Sequence, residues 1–215
     1  MFYFATEALY EAVFQSVSTK YDEEQKKLSD IGLIHRTEGE IRYAAGELVE
    51  KVLQSIFDAM NAFLPYKIIS KVGSSDYLTK KIQYNNHVYI NDHIQVDRHV
   101  WYQGRRIAFI ENKTYLDTCY FDRALADFKK IIQALNQQNL DPKRCAYIVF
   151  AGQIAGRENT FLNYEAEFWD ETKIVPKRYF FLKGIRNSLK PLYKIKHELD
   201  FETIKAFVDF ILTLL

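Results

Sequence analysis

The longest uninterrupted amphipathic repeat in the chain runs through Ile41, Ala45, Leu48, Val52, Ile56 and Met60, and it constrains the fold more than any other feature. Apolar residues three and four apart make one stripe on a helix, so this segment predicts a long helix whose stripe must be covered. Thr37-Glu38-Gly39-Glu40 marks its start as a capping box, and it stops before Pro65. A shorter stripe at Phe4, Ala8, Leu9, Ala12 and Val13 predicts a first helix within residues 2–19. The charged run Tyr21 to Lys27 reads as a solvated turn or helix end.

After Pro65 the texture becomes β-branched and aromatic. Lys67-Ile68-Ile69 predicts a short strand and Val72 to Asp76 a loop. A hairpin follows, with arms His93–Tyr102 and Arg106–Lys113 joined by Gln103-Gly104-Arg105, where the glycine supplies positive φ. Phe121 to Asn136 carries a helical stripe of Ala124, Leu125, Phe128, Ile131, Ile132 and Leu135. Cys145 to Phe150 is an apolar run of strand length ahead of Gly152. A further strand, Arg178 to Leu182, and an amphipathic helix, Phe201 to Leu215, close the chain. The pattern is an α/β fold whose mixed central sheet holds an antiparallel hairpin followed by a crossover helix. No repeat or boundary divides residues 1–215, so one domain is expected.

Composition narrows the function classes. There are 29 Lys plus Arg against 28 Asp plus Glu, a net charge of +1, which removes binding to polyanions by bulk charge. Eight Gly and four Pro are too few for a linker-rich chain, and no apolar run reaches bilayer-spanning length, so no membrane partner is expected. Cys119 and Cys145 stand in no zinc-binding pattern, and the N-terminal residues lack a basic leader, so a cytoplasmic location is expected.

Chemistry concentrates at Asp97, Glu111 and Lys113. Acid-x-Lys alone says little, since it also occurs at Glu24, Asp127, Asp141 and Glu171. Glu111 differs because it ends the buried-strand run Ile107 to Ile110 and faces an acid on the neighbouring arm. Side chains alternate along strands, so Asp97 and Glu111 share a face only if the loop is odd in length or the pair is bulged. A three-residue loop at 103–105 places them opposite, with Lys113 on the same face. Asp92 competes with Asp97 but sits in an Asn-Asp pair typical of turns.

From Val96 to Phe128 this arrangement resembles the PD-(D/E)xK nucleases, and in particular the type II restriction endonucleases. Elsewhere the likeness rests on element order, and Val96 stands where the family often has proline before its first acid. The resemblance implies a restriction-endonuclease-like core and Mg²⁺-dependent hydrolysis of double-stranded DNA. Asp97 and Glu111 would hold the metal with the backbone carbonyl of Asn112, and Lys113 would position the attacking water. Family members often add an acid from the preceding helix. Glu47, beside Gly46, is the candidate, ahead of Glu40 and Glu50. A homodimer matching a palindromic site and a cognate DNA methyltransferase in the same cell are the implied partners.

Phosphate contact requires clustered cations. Lys177, Arg178, Lys183, Arg186, Lys190, Lys194 and Lys196 form a stretch without an acid, preceded by acid-rich residues 158–171. Lys183, Arg186, Asn187, Ser188 and Lys190, with Gln153, Arg157 and Asn159, are the candidates for DNA contact, because guanidinium and carboxamide groups match base edges.

Overall fold

The computed structural model describes residues 5–33, 37–73, 78–84, 88–153, 177–182 and 199–215. Helix α1 spans Glu7–Leu33 and α2 spans Glu38–Met60. Thr37 caps α2 as its sequence predicts, with the Glu40 amide bonded to the Thr37 hydroxyl and the Glu40 carboxylate returning to the Thr37 amide. α1 runs well past the expected end. Tyr21 and Leu28 continue its buried stripe, and Glu24 within the charged run is only 5% exposed because Lys27 and Lys51 neutralise it at 2.6 and 3.0 Å. A buried charge needs such partners, and here one of them comes from α2.

The strands are β1 Ile68–Val72, β2 Leu78–Tyr84, β3 Val88–Ile94, β4 Arg98–Tyr102, β5 Arg105–Lys113, β6 Ala146–Ala151 and β7 Lys177–Phe181. Helix α3, Thr118–Gln137, crosses from β5 to β6, and α4, Phe201–Leu214, ends the fold. Five strands form one mixed sheet in the order β1-β4-β5-β6-β7, antiparallel from β1 to β5 and parallel from β5 to β7. The chain is therefore mixed α/β, with helices flanking the sheet.

Alternation along the strands divides the core. Ala108, Ile110, Ile148, Phe150 and Phe180 pack toward α1, α2 and α4, whereas Phe109, Tyr147, Val149 and Phe181 pack toward α3. The β2–β3 hairpin is absent from the sequence expectation. It forms a separate two-stranded sheet against α3, and its first strand is edge-capped by helix glutamines. The Gln137 carboxamide accepts from the Lys81 amide at 2.8 Å and donates to the Lys81 carbonyl at 3.1 Å, and Gln138 reaches the Thr79 carbonyl. Asp92 consequently lies within β3, opposite Lys80, rather than in a turn. Among the described residues no helix is long and apolar enough to cross a membrane.

Candidate active site

The hairpin that carries the acids is built differently from the three-residue expectation, with the same outcome. Tyr102 pairs with Arg105, leaving a two-residue turn of Gln103 and Gly104, both at positive φ (50° and 73°). Such a turn matches the right-handed twist of the strands. By itself it would put Asp97 and Glu111 on opposite faces. The register shifts, however: Trp101 pairs with Arg106 and Val100 with Ala108, so Ile107 is an extra residue on β5. Beyond the bulge Arg98 pairs with Ile110, and the next positions on the two sides are Asp97 and Glu111.

Asp97 lies just outside β4, where the ladder to β5 ends. Its carboxylate takes the place of a strand carbonyl, accepting from the Asn112 amide at 2.7 Å. N–H and C=O of one strand residue leave on the same side, so the Asn112 carbonyl is directed to this edge as well. Gly73, one residue past β1, holds the link from behind. Its amide donates to the Asp97 carbonyl at 3.1 Å. A Cβ on Gly73 would fall 1.6 Å from the Val96 carbonyl oxygen, so only glycine fits there.

Glu111 and Lys113 alternate with Asn112 and share the α3-facing side with Phe109. Glu111 is 4% exposed. Lys113 Nζ lies 2.6 Å from Glu111 Oε2 and 3.7 Å from Asp97 Oδ2, so one ammonium is within ion-pair reach of both carboxylates. Burial pushes the Glu111 carboxyl up to about 7; the Asp97 charge adds to this and the Lys113 ammonium opposes it. For Lys113 burial disfavours the charge, but Glu111 and Asp97 outweigh it and raise its pKa. The two shifts pull the shared proton in different directions. The 2.6 Å contact has the length of a charge-assisted hydrogen bond from the Lys113 ammonium to Glu111. As pH falls, Glu111 takes up a proton well above the ordinary carboxylate range.

Two carboxylates and a backbone carbonyl directed at one edge make an oxygen donor set, which suits a hard cation such as Mg²⁺. Among the described residues no three His, Cys, Asp or Glu side chains converge in metal-holding geometry. Water and a phosphate oxygen would therefore have to complete a Mg²⁺ shell, which is usual for this ion.

The helix acids sort differently from the sequence expectation. Glu47 turns to Lys51, 3.5 Å away, and Glu40 is used in the α2 cap. Glu50 is the α2 carboxylate that feels Asp97: burial raises its pKa, Arg98 opposes, and the charges of Asp97 and Glu47 add. Arg98, buried beside Asp97, ties β4 to this helix. It donates to Gln54 Oε1 at 3.0 Å and approaches Glu50 at 3.9 Å. Gly46 needs no special closeness, since a Cβ there would meet Thr114 Oγ1 at an ordinary 3.9 Å. Asp127 of α3, bonded to Lys130, adds its negative field at Glu111 and Lys113.

A comparison with protein-family models finds no match, and no curated protein matches the chain. Of the candidate DNA contacts, Gln153 is 1% exposed, and its carbonyl accepts from the Leu116 amide at 2.8 Å, so it braces the end of β6 rather than facing a groove. Lys183, Arg186, Asn187, Ser188, Lys190, Arg157 and Asn159 lie outside the described residues. Arg178 of β7 is exposed, with its guanidinium 5.7 Å from the Phe210 ring centroid. Glu50, ranked behind Glu47 from the sequence, is the helix acid nearer in field to Asp97, whereas Gly73, Arg98 and Asp127 were missed as site residues. Of those three, Asp127 alone had a sequence signal, as one of the other acid-x-Lys matches.

Proposed function

We propose that this chain is a Mg²⁺-dependent endonuclease of the PD-(D/E)xK type with a restriction-endonuclease-like core, cutting both strands of duplex DNA at a short site as a type II restriction enzyme. The observation that carries this reading is the convergence of Asp97, Glu111 and Lys113 at the end of the bulged hairpin. Asp97 and Glu111 are the carboxylates for the metal, with the Asn112 carbonyl beside them. Glu50 replaces Glu47 as the helix acid. When bound, Mg²⁺ would stabilise charge on the scissile phosphate and acidify a water. Lys113 orients that water and offers its charge to the phosphate oxygens, and the burial of Glu111 strengthens every charge interaction there by thinning the solvent. The basic stretch beginning at Lys177 is the proposed backbone-contacting segment. A homodimer and a cognate methyltransferase belong to the same proposal.

Incubation with phage DNA and Mg²⁺ tests it: discrete bands support a site-specific enzyme, and a smear supports a structure-selective or repair nuclease of the same fold. Absence of cleavage with both Mg²⁺ and Mn²⁺ rejects the enzyme. Lys113→Ala should abolish cutting while leaving DNA binding largely intact. A second reading draws on the double contact of Lys113 with Asp97 and Glu111, which a purely structural ion-pair network would also make. In that case the protein is a non-catalytic DNA-binding module that does not bind divalent ions.

A further inference from the structure

The end of the sheet away from Asp97 and Glu111 carries a different chemistry. Residues 62–72, 99–107 and 141–146 hold six cations, Lys67, Lys71, Arg105, Arg106, Lys143 and Arg144, and one acid, Asp141, which is drawn to Arg144 at 3.8 Å. Register brings them together. Ile69 pairs with Trp101 and Trp101 with Arg106, making a row across β1, β4 and β5. Cys145 reaches the Arg106 carbonyl at 3.4 Å, which sets Lys143 and Arg144 at the same end. Arg105 is used elsewhere, on the Leu214 carbonyl. Lys71 and Arg106 lie over the Trp101 ring at 5.2 and 4.5 Å, and Arg106 lies over Phe109 as well. The rings hold both cations in place. The core under α3 does not include this corner: Ile69 is 52% exposed, and Lys67 and Lys71, which alternation puts on its side of β1, are exposed too.

We propose that this corner is a binding platform for single-stranded nucleic acid, with Lys67 and Lys71 on phosphates, Lys143 and Arg144 extending the positive field, and Ile69 and the Trp101–Arg106 pair against unpaired bases. Charge selects a polyanion, and the apolar groups set among the cations select one that also offers flat apolar faces. An arginine plane accepts a stacked base as a ring does. A duplex hides its bases and would leave Ile69 and Trp101 without a counterpart. An anionic membrane fits less well, because Ile69 lies on a strand between two lysines and could not enter the acyl layer without carrying their charges with it. The inference does not depend on the nuclease reading, since neither the carboxylates nor a metal takes part. Arg106 stands about 17 Å from Glu111, five residues along β5 at about 3.4 Å each.

Fluorescence anisotropy in EDTA, which keeps metal and cutting out of the measurement, tests this with labelled oligo-dT of about 12 nucleotides and a labelled duplex of equal length. Wild type should bind oligo-dT. Lys67→Glu with Lys71→Glu should weaken it roughly twentyfold or more at about 0.1 M salt and lower the salt slope by about 1.4, since each phosphate contact on a single strand contributes about 0.7 to that slope. Lys26→Glu with Lys205→Glu, exposed positions on α1 and α4, changes the total charge equally and should leave oligo-dT binding near wild type. Trp101→Leu should weaken oligo-dT about fivefold or more and leave the duplex unchanged. If the reversed pair does not fold, Lys71→Gln alone decides, with an expected loss of about fivefold; if Trp101→Leu does not fold, Ile69→Ser replaces it with the same selective loss expected. Failure of wild type to bind oligo-dT, equal weakening by the α1 and α4 pair, or equal loss of duplex and oligo-dT in the Trp101 variant overturns the proposal. So does binding to phosphatidylserine-containing vesicles that the Lys67 and Lys71 reversal abolishes while oligo-dT binding persists. A Mg²⁺ digest without cleavage would sink the nuclease reading and leave this one intact.

Discussion

Gly73→Ala is the sharpest test of how the site is held. The added Cβ would lie 1.6 Å from the Val96 carbonyl oxygen, whereas real contacts of this kind essentially never fall below 3.0 Å. The Val96–Asp97 link must therefore retreat by about 1.4 Å or β1 must shift by as much. Neither is cheap, because the obstruction is backbone on both sides. A retreat of that size breaks the 3.1 Å bond from the Gly73 amide and stretches the 2.7 Å bond from the Asn112 amide to the Asp97 carboxylate. One neutral and one charge-assisted hydrogen bond together amount to about 2–4 kcal/mol. On the proposed nuclease reading, misplacing the Asp97 carboxylate by about 1 Å costs on the order of a hundredfold in rate. Urea denaturation reads the first quantity, and plasmid cleavage under folded conditions reads the second. A variant with the wild-type midpoint and wild-type cleavage would refute the argument that Gly73 sets the position of Asp97.

Other changes have definite expected outcomes. The Glu111 carboxyl takes up a proton at higher pH in the folded chain than in the unfolded one, so its contribution to stability falls as pH rises from about 4.5 to about 7. Divalent-ion affinity should rise through the same upper limit, and calorimetry with Ca²⁺ across that range should show it; a flat profile would remove Glu111 from the donor set. Arg98→Met should lower stability by about 2 kcal/mol in chemical denaturation by unlinking β4 from Gln54 and Glu50. Gly104→Val should cost about 1–2 kcal/mol because φ there is +73°, while Gly104→Asn should be nearly neutral. Thr37→Ala should lose about 1 kcal/mol with the α2 capping box.

Much of this architecture is legible in the sequence where burial imposes a period. The stripes of α2, α3 and α4 and the apolar runs of β5 and β6 lie where the pattern puts them, because each must cover one apolar surface with another. The rest depends on facts that no local pattern carries. Glu24 reads as part of a solvated run, yet Lys51 from another helix makes it a buried ion pair. The β2–β3 hairpin is polar along much of its length and finds its partner in α3 glutamines, so alternation does not reveal it. Gly73 looks like any loop glycine until the Val96 carbonyl is behind it. Glu47 and Glu50 differ by less than one helical turn, and only the placement of Arg98 shows which of them looks toward Asp97. The convergence of Asp97, Glu111 and Lys113 was visible as a parity condition, but the bulge that satisfies it was not.

That extra residue at Ile107 also bears on how relatives of this chain can differ from it. Deleting Ile107 would close the bulge and leave Trp101 opposite Arg106 and Val100 opposite Ala108, so Asp97 and Glu111 would stay in line, one residue nearer in sequence. Lengthening the Gln103-Gly104 turn by one would likewise leave the ladder unchanged and set them one residue further apart. What would turn Glu111 to the other face is a slip of register that flattens the bulge while Ile107 stays. A relative whose two acids stand one residue nearer or further apart than here has thus altered its bulge or its turn, and can still bring its carboxylates together.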